Sequence, residues 1–273
     1  MVRVKSKSTS LRLFPVWLWV PAIITLIAIA GPLVALFVRA PWPEIPTLIA
    51  TDEALSALRL SLMTSGITTV ICFLFGLPLS IILVRSQARW ARLSRGIIMI
   101  PLVLSPVVSG ICLLYFWGRN GLVGMFLAEY DIQIAFTTVA VILVQCFVAM
   151  PFFVVSAMDS LGSVDEELQL AAANAGASNW QILRHITLPL AAPGIISGTM
   201  LAFARSLGEY GATITFAGSV ADVTRTLPLQ IELSLNSSTP QLAVGLSLIL
   251  ISLYLVVLLG TRLAASLGKS LVR

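Results

Sequence analysis

Six stretches of this chain, roughly residues 16–38, 57–84, 97–117, 134–158, 191–217 and 241–264, are long and apolar enough to cross a lipid bilayer. A spanning helix needs about 20 such residues. Hydrocarbon offers no partner to a free N–H or C=O, so runs of this kind predict an all-α, polytopic membrane protein of about six transmembrane helices. Only 11% of the 273 residues are charged and 58% are hydrophobic. A soluble domain carries about 25% charged residues. One transmembrane domain over residues 1–273 is the expected organisation. The net charge of +5 then reports membrane orientation, not nucleic-acid binding.

Lysine and arginine concentrate on the cytoplasmic side of membrane proteins. Arg3, Lys5, Lys7 and Arg12 form a basic tail at 1–15, Arg85, Arg89, Arg92 and Arg95 fill the second connection, and Arg262, Lys269 and Arg273 close the chain. With Arg184, this puts 12 of 17 basic residues on one side of a six-span arrangement. Both termini are expected in the cytoplasm, and so is the acid-rich connection at 159–190. The loops at 39–56, 118–133 and 218–240 fall outside. The first apolar run exceeds a signal-peptide core and lacks a small-residue cleavage site, which favours a retained span. Arg85, Arg89 and Arg92, with Trp90, are expected on one face of an interfacial helix.

Several chemistries are poorly supplied. Cys72, Cys112 and Cys146 sit in separate apolar runs, fit no metal or redox spacing and read as small buried hydrophobes. His185 is the single histidine. Gly268-Lys269-Ser270 matches the tail of a phosphate-binding loop, but Leu263 stands where its first glycine belongs. No nucleophile–base set is visible, so no catalytic residue, metal site or cofactor site is assigned.

The segment Ser163–Pro189 is written as two short helices around a glycine. Ser163 and Glu166 read as a capping box, with Asp165, Glu166 and Glu167 in the first turn. Leu168, Ala171, Ala172 and Ala175 share a face, and Gly176 stands where a helix ends in a left-handed residue. Ser178 and Gln181 make a second box around Trp180, Ile182, Leu183 and Ile186 follow, and Pro189 is expected to stop the element. Such a hairpin either packs on its own domain or receives a partner.

Ala171-Ala172, Gly176, Ile186 and Leu188-Pro189 reproduce the spacing of the cytoplasmic motif of binding-protein-dependent ABC importer permeases, which this segment resembles. Leu170 stands where that motif has its glutamate, and Glu167 lies three residues earlier. The resemblance implies that 163–189 is a coupling helix seated in an ATPase subunit. Glu167, Ala171, Ala172, Gly176, Ser178, Trp180, Ile186, Leu188 and Pro189 are the candidate coupling residues.

In Leu201–Phe216, Arg205 and Glu209 are four apart and so share a helical face. An intramembrane pair either fixes packing or marks a pathway. Gly208 and Gly211 allow a kink, and Gly194 and Gly198 form a small-residue packing face. A translocated anion needs hydroxyls, amides or positive potential, which nominates Ser105, Ser109, Thr213, Thr215 and Arg205 beside Glu209. Phe203-Ala204-Arg205 with Gly208-Glu209-Tyr210-Gly211 resembles oxyanion importer permeases. Thr224–Pro228 and Pro101–Val108 are similar to the molybdate and tungstate branch.

That resemblance, over roughly residues 55–265, implies the type I ABC importer permease fold and a permease, not an enzyme. A sulfate or thiosulfate permease is the alternative cargo, and an ion-coupled secondary transporter the alternative class. The implied partners are an ABC ATPase in two copies, an extracytoplasmic oxyanion-binding protein, a second permease copy and the lipid membrane, with no nucleic acid. This chain would bind no cofactor, with ATP and Mg held by the ATPase. The implied location is the cell inner or plasma membrane, multi-pass.

Overall fold

Backbone self-satisfaction in an apolar medium leaves helices as the available element, and the described residues contain no strand. The computed structural model describes residues 16–271, with side chains over 17–261. The basic tail at 1–15 lies outside the described residues, as do the side chains of Arg262 and Lys269 and all of Arg273.

The chain divides into two compact units between Trp42 and Pro43. The first contains α1 (Trp19–Val38), 20 residues long. At 1.5 Å per residue it reaches about 30 Å, the thickness of the hydrocarbon core.

The second unit contains α2 (Ile45–Ile49), α3 (Asp52–Arg85), α4 (Arg89–Val103), α5 (Pro106–Trp117), α6 (Gly124–Ala128) and α7 (Thr138–Gly162). Next come α8 (Glu166–Asn174), α9 (Asn179–Ile182), a π turn (Leu183–Thr187) and α10 (Leu188–Leu207), then α11 (Gly211–Phe216), α12 (Leu227–Leu235) and α13 (Pro240–Leu271). Among the described residues, five helical stretches are long and apolar enough to cross a membrane, and α4 with α5 forms a sixth candidate bent by 119°.

The core is a three-helix seam of α3, α7 and α10. Phe153, Val154 and Ala157 of α7 lie between Cys72 and Leu83 of α3 and Ala191, Ile195 and Ala202 of α10. Small residues set the spacing. A Cβ on Gly76 would come 2.6 Å from the Phe153 ring. On Gly194 it would strike Ser160, and on Gly198 it would strike Ser156. Those two serines donate hydroxyls to the carbonyls of Ala191 (2.8 Å) and Gly194 (3.2 Å). Close backbones and cross-helix hydrogen bonds replace the hydrophobic drive that lipid cannot supply, at about 0.6 kcal/mol per bond. Deeper in the seam, Thr68 donates to Gln145 Oε1 and Gln145 Nε2 donates to Thr64, each at 3.1 Å. Ser80 Oγ reaches the Val154 carbonyl at 3.3 Å. The pairs 64/68 with 145 and 80 with 154 advance together, so α3 and α7 run parallel. The start of α3 therefore lies at the opposite end of the bundle from α8.

Four expectations need correction. The third run is not one straight span. Ser105 is extended (ψ 145) and its Oγ accepts from Val108 N, while Pro106 opens α5, so a capped helix start falls inside the apolar run. The fifth run breaks at Gly208–Tyr210. Arg85 ends α3 whereas Arg89 begins α4, so those arginines do not share one helix. Arg95 instead ties the two helices, donating to the carbonyls of Leu83 and Ser86. Finally, Cys112 is exposed on α5 and Cys146 is half-buried, leaving Cys72 as the fully buried thiol.

Candidate functional site

The connection between α7 and α10 is assembled from helix caps. Ser163 ends α7 and donates its hydroxyl to Ser160 O, so it does not start α8. Asp165 does, accepting from Glu167 N at 2.9 Å. The shorter Asp side chain already satisfies an early N–H, which removes the need for the expected Ser163–Glu166 box. At the other end of α8, Gly176 N donates to Ala173 O and Ala177 N to Ala172 O, both at 3.0 Å, a Schellman closure. Gly176 has φ 90, yet a Cβ there would meet nothing within 4 Å. Backbone conformation, not crowding, demands the glycine. Ser178 then opens α9 in a reciprocal box, with Gln181 Oε1 accepting from Ser178 N at 2.8 Å.

Pro189 does not stop this element. It lies in the first turn of α10, and Asn179–Leu207 runs on as one 29-residue helical stretch. A proline ring clashes with the carbonyl four residues back. The π turn at Leu183–Thr187 widens the helix there and re-spaces those carbonyls. Val164 and Leu188 root the insert by packing against the α3–α7–α10 core. Its outer surface carries Glu167, Ala171 and Ser178, with Leu168, Leu170 and Trp180 exposed. Ala172 and Ile186 are partly covered. An open depression of about 400 Å³ lies between Gly176 and Ile186. The candidate coupling residues thus separate into an outward group and an anchoring one, Leu188.

The second candidate centre lies at the far end of α10. Arg205 Nη2 meets Glu209 Oε2 at 2.7 Å. Glu209 is 1% exposed and stands beyond the end of α10. Its other oxygen accepts from Ala212 N at 2.9 Å, so one carboxylate closes α10 and starts α11. Arg205 also lies over the Phe152 ring, 5.9 Å from its centroid. Tyr254 of α13 presses its hydroxyl against Gly208, where a Cβ would come within 2.1 Å.

The close meeting of α5 and α11 follows from two glycines. A Cβ on Gly110 would lie 2.6 Å from Thr215 Cβ, and one on Gly211 would lie 2.6 Å from Pro106 Cβ. Thr215 donates to Gly211 O at 2.8 Å within its own helix. The Ser109 and Thr213 hydroxyls are buried without a partner. Ser105 is an exposed helix cap. The structure therefore gathers Arg205, Glu209, Thr213 and Thr215 about one helix break and puts Ser105 at another. Sequence reasoning missed the Gln145 network and the Tyr254 contact. An isolated glutamine in a 25-residue apolar helix was the available signal for the first.

Among the described residues, no group of three or more His, Cys, Asp or Glu residues could hold a metal.

Residues 76–269 match the family described as "Binding-protein-dependent transport system inner membrane component". The molybdenum transport system permease protein ModB of Mycobacterium tuberculosis is 45% identical over 254 residues, which is 93% of this chain and 96% of that protein. The sulfate transport system permease protein CysW of Synechocystis is 34% identical over 206 residues, 74% of each chain. In fold, the chain is similar to a chain of a bacterial ABC transporter involved in the import of the acidic polysaccharide alginate. The TM-score is 0.70 at 18% identity, over 94% of this chain and 95% of that one.

Proposed function

This chain belongs to the family of binding-protein-dependent transport system inner membrane components, and on that premise we propose that it is the permease subunit of an ATP-driven importer of molybdate. The observation that carries the cargo is 45% identity over 93% of the chain to a molybdenum permease. Tungstate, of like charge and shape, is an expected second cargo. Sulfate is the runner-up, supported by the weaker likeness to a sulfate permease.

The protein is a multi-pass membrane protein and a transport subunit, not a catalyst. It binds no cofactor itself. ATP and Mg belong to a separate ATPase, two copies of which engage two copies of this permease. The lysine and arginine distribution supports cytoplasmic termini in a cell inner or plasma membrane. The insert is then cytoplasmic, and the loops at 39–56, 118–133 and 218–240 meet an extracytoplasmic binding protein that delivers the anion.

The geometry supports a mechanical reading. The outward face of α8 and α9 seats in the ATPase. The Asn179–Leu207 stretch, about 44 Å long at 1.5 Å per residue, carries displacement of the seat toward the break at Gly208–Tyr210. There the Arg205–Glu209 pair and the tight α5–α11 contact hold one arrangement of the path. Substrate passage needs weak contacts, so the hydroxyls and the partly open Arg205 guanidinium serve transit, while the binding protein sets selectivity.

The test is uptake into proteoliposomes containing this chain, its ATPase and binding protein. ATP-dependent molybdate accumulation competed by tungstate but not by equimolar sulfate is expected. Uptake that needs no ATPase, or that sulfate competes fully, overturns the assignment.

A further inference from the structure

A pocket of about 260 Å³ opens between the N-terminus of α3 and the connection leading into α12. It lies at the opposite end of the bundle from the insert, since α3 starts there and runs parallel to α7. Asp52 and Glu53 contribute carboxylates from the first turn of α3, and Asp222 contributes one from the connection. Asp222 is held at φ 61 and one of its oxygens takes the Ser56 hydroxyl.

Arg225 lines the same pocket and offsets one of the three carboxylate charges, leaving the lining net negative. Its Nε and Nη2 go to Ser219 Oγ and O, each at 3.2 Å. Among the described residues the single ion pair is the distant Arg205–Glu209.

Gln230 adds an independent sign. It is 5% exposed, its Nε2 donates to Ser234 Oγ at 3.2 Å, and its Oε1 has no partner. A buried acceptor left without a donor carries an uncompensated desolvation penalty. The pocket therefore offers more acceptors than donors, with three carboxylates and the Gln230 amide oxygen against one guanidinium. An oxyanion is repelled by the three carboxylates. A metal is not favoured either, because these carboxylates do not converge as a ligand set. A compact cation carrying several N–H groups, the ammonium of lysine or the guanidinium of arginine, matches the acceptors in number and sign.

We propose that this pocket receives a lysine or arginine side chain of the extracytoplasmic binding protein and so fixes where that protein docks. The inference rests on the importer reading and adds the site and its chemistry. It predicts docking that weakens with salt, because an ion pair formed at a surface pocket is screened.

The experiment uses the full transporter, this chain with its ATPase, in lipid nanodiscs, and measures capture of the molybdate-loaded binding protein at low and at high salt. The variants are Glu53→Gln combined with Asp222→Asn, and Gln230→Leu. Glu232→Gln, on the same α12 helix but outside the pocket, is the control. Thermal unfolding of each complex separates misfolding from lost docking. The expected result is capture about tenfold weaker for the double neutralisation at low salt, and a reduced salt dependence. Gln230→Leu should also bind more weakly while unfolding at the wild-type temperature. Capture equal to wild type in both pocket variants overturns the inference alone. So does capture by the wild type that chelator abolishes, which would make the occupant a metal ion. If the wild-type complex neither captures the binding protein nor imports molybdate, the importer reading itself fails.

Discussion

The Arg205 guanidinium meets the Glu209 carboxylate at 2.7 Å, although α10 has already ended at Leu207. Sequence spacing predicts the pairing, but it does not predict that Glu209 also caps the next helix through Ala212 N. One buried carboxylate therefore holds a charge and a backbone break together.

Glu209→Gln removes the charge and keeps an acceptor for Ala212 N. Glu209→Ala removes both. Breaking a buried pair costs about 3–5 kcal/mol, and the partly open Arg205 end favours the lower figure. Glu209→Ala should lower the unfolding temperature in detergent more than Glu209→Gln does, and both should depress uptake. Reversing both charges should recover part of what either single reversal loses. Equal effects of the Ala and Gln variants would remove the capping role.

At Gly176 the cost is conformational alone. A left-handed backbone costs an L-residue about 1–2 kcal/mol, and more if it is β-branched. Gly176→Asn should stay close to wild type, because asparagine tolerates this region. Gly176→Val should leave ATP hydrolysis running without molybdate uptake. Coupled transport by the valine variant would sink the role of this junction.

Trp180 is 63% exposed, so its removal leaves no cavity. Trp180→Ala should not change the unfolding temperature. It should weaken ATPase co-purification by roughly thirtyfold, the size of an aromatic hot spot of about 2 kcal/mol. Unchanged assembly would place the ATPase seat elsewhere on the chain.

Gly110→Ala and Gly211→Ala test the α5–α11 contact. Each new Cβ would arrive within 2.6 Å of a neighbour, an overpacking that costs about 1–3 kcal/mol. Both should slow uptake, and Gly66→Ala, where a Cβ meets nothing within 4 Å, should not.

Periodicity and punctuation made much of this molecule readable in advance. The apolar runs gave the helices and the class. Gly176, Ser178 and Gln181 gave the bend of the insert, because those residues act on backbone within a few positions of themselves. Gly194 and Gly198 announced a packing face. Other signals were present but masked. Ser105-Pro106 spells a helix start, yet it sits in an unbroken apolar run, so hydropathy concealed the bend. Pro189 spells a stop, yet a π turn upstream accommodates it.

The sequence by itself determined that this chain enters a membrane as helices and that a structured insert follows α7. Those properties depend on local composition and on backbone groups that must be paired within the segment. The tertiary structure alone decided which polar groups meet. Gln145 pairs with Thr64 and Thr68, Ser156 and Ser160 with α10, and Glu209 with Ala212 N. Asp52 and Glu53 likewise line one pocket with Asp222 and Gln230, although the two pairs are far apart in the chain. Such pairings depend on how close two backbones come, and that distance is set by Gly76, Gly110, Gly194, Gly198 and Gly211 acting across helices. A pair such as Gly194 and Gly198 announces a close face, but no pattern along a single helix records which helix meets it.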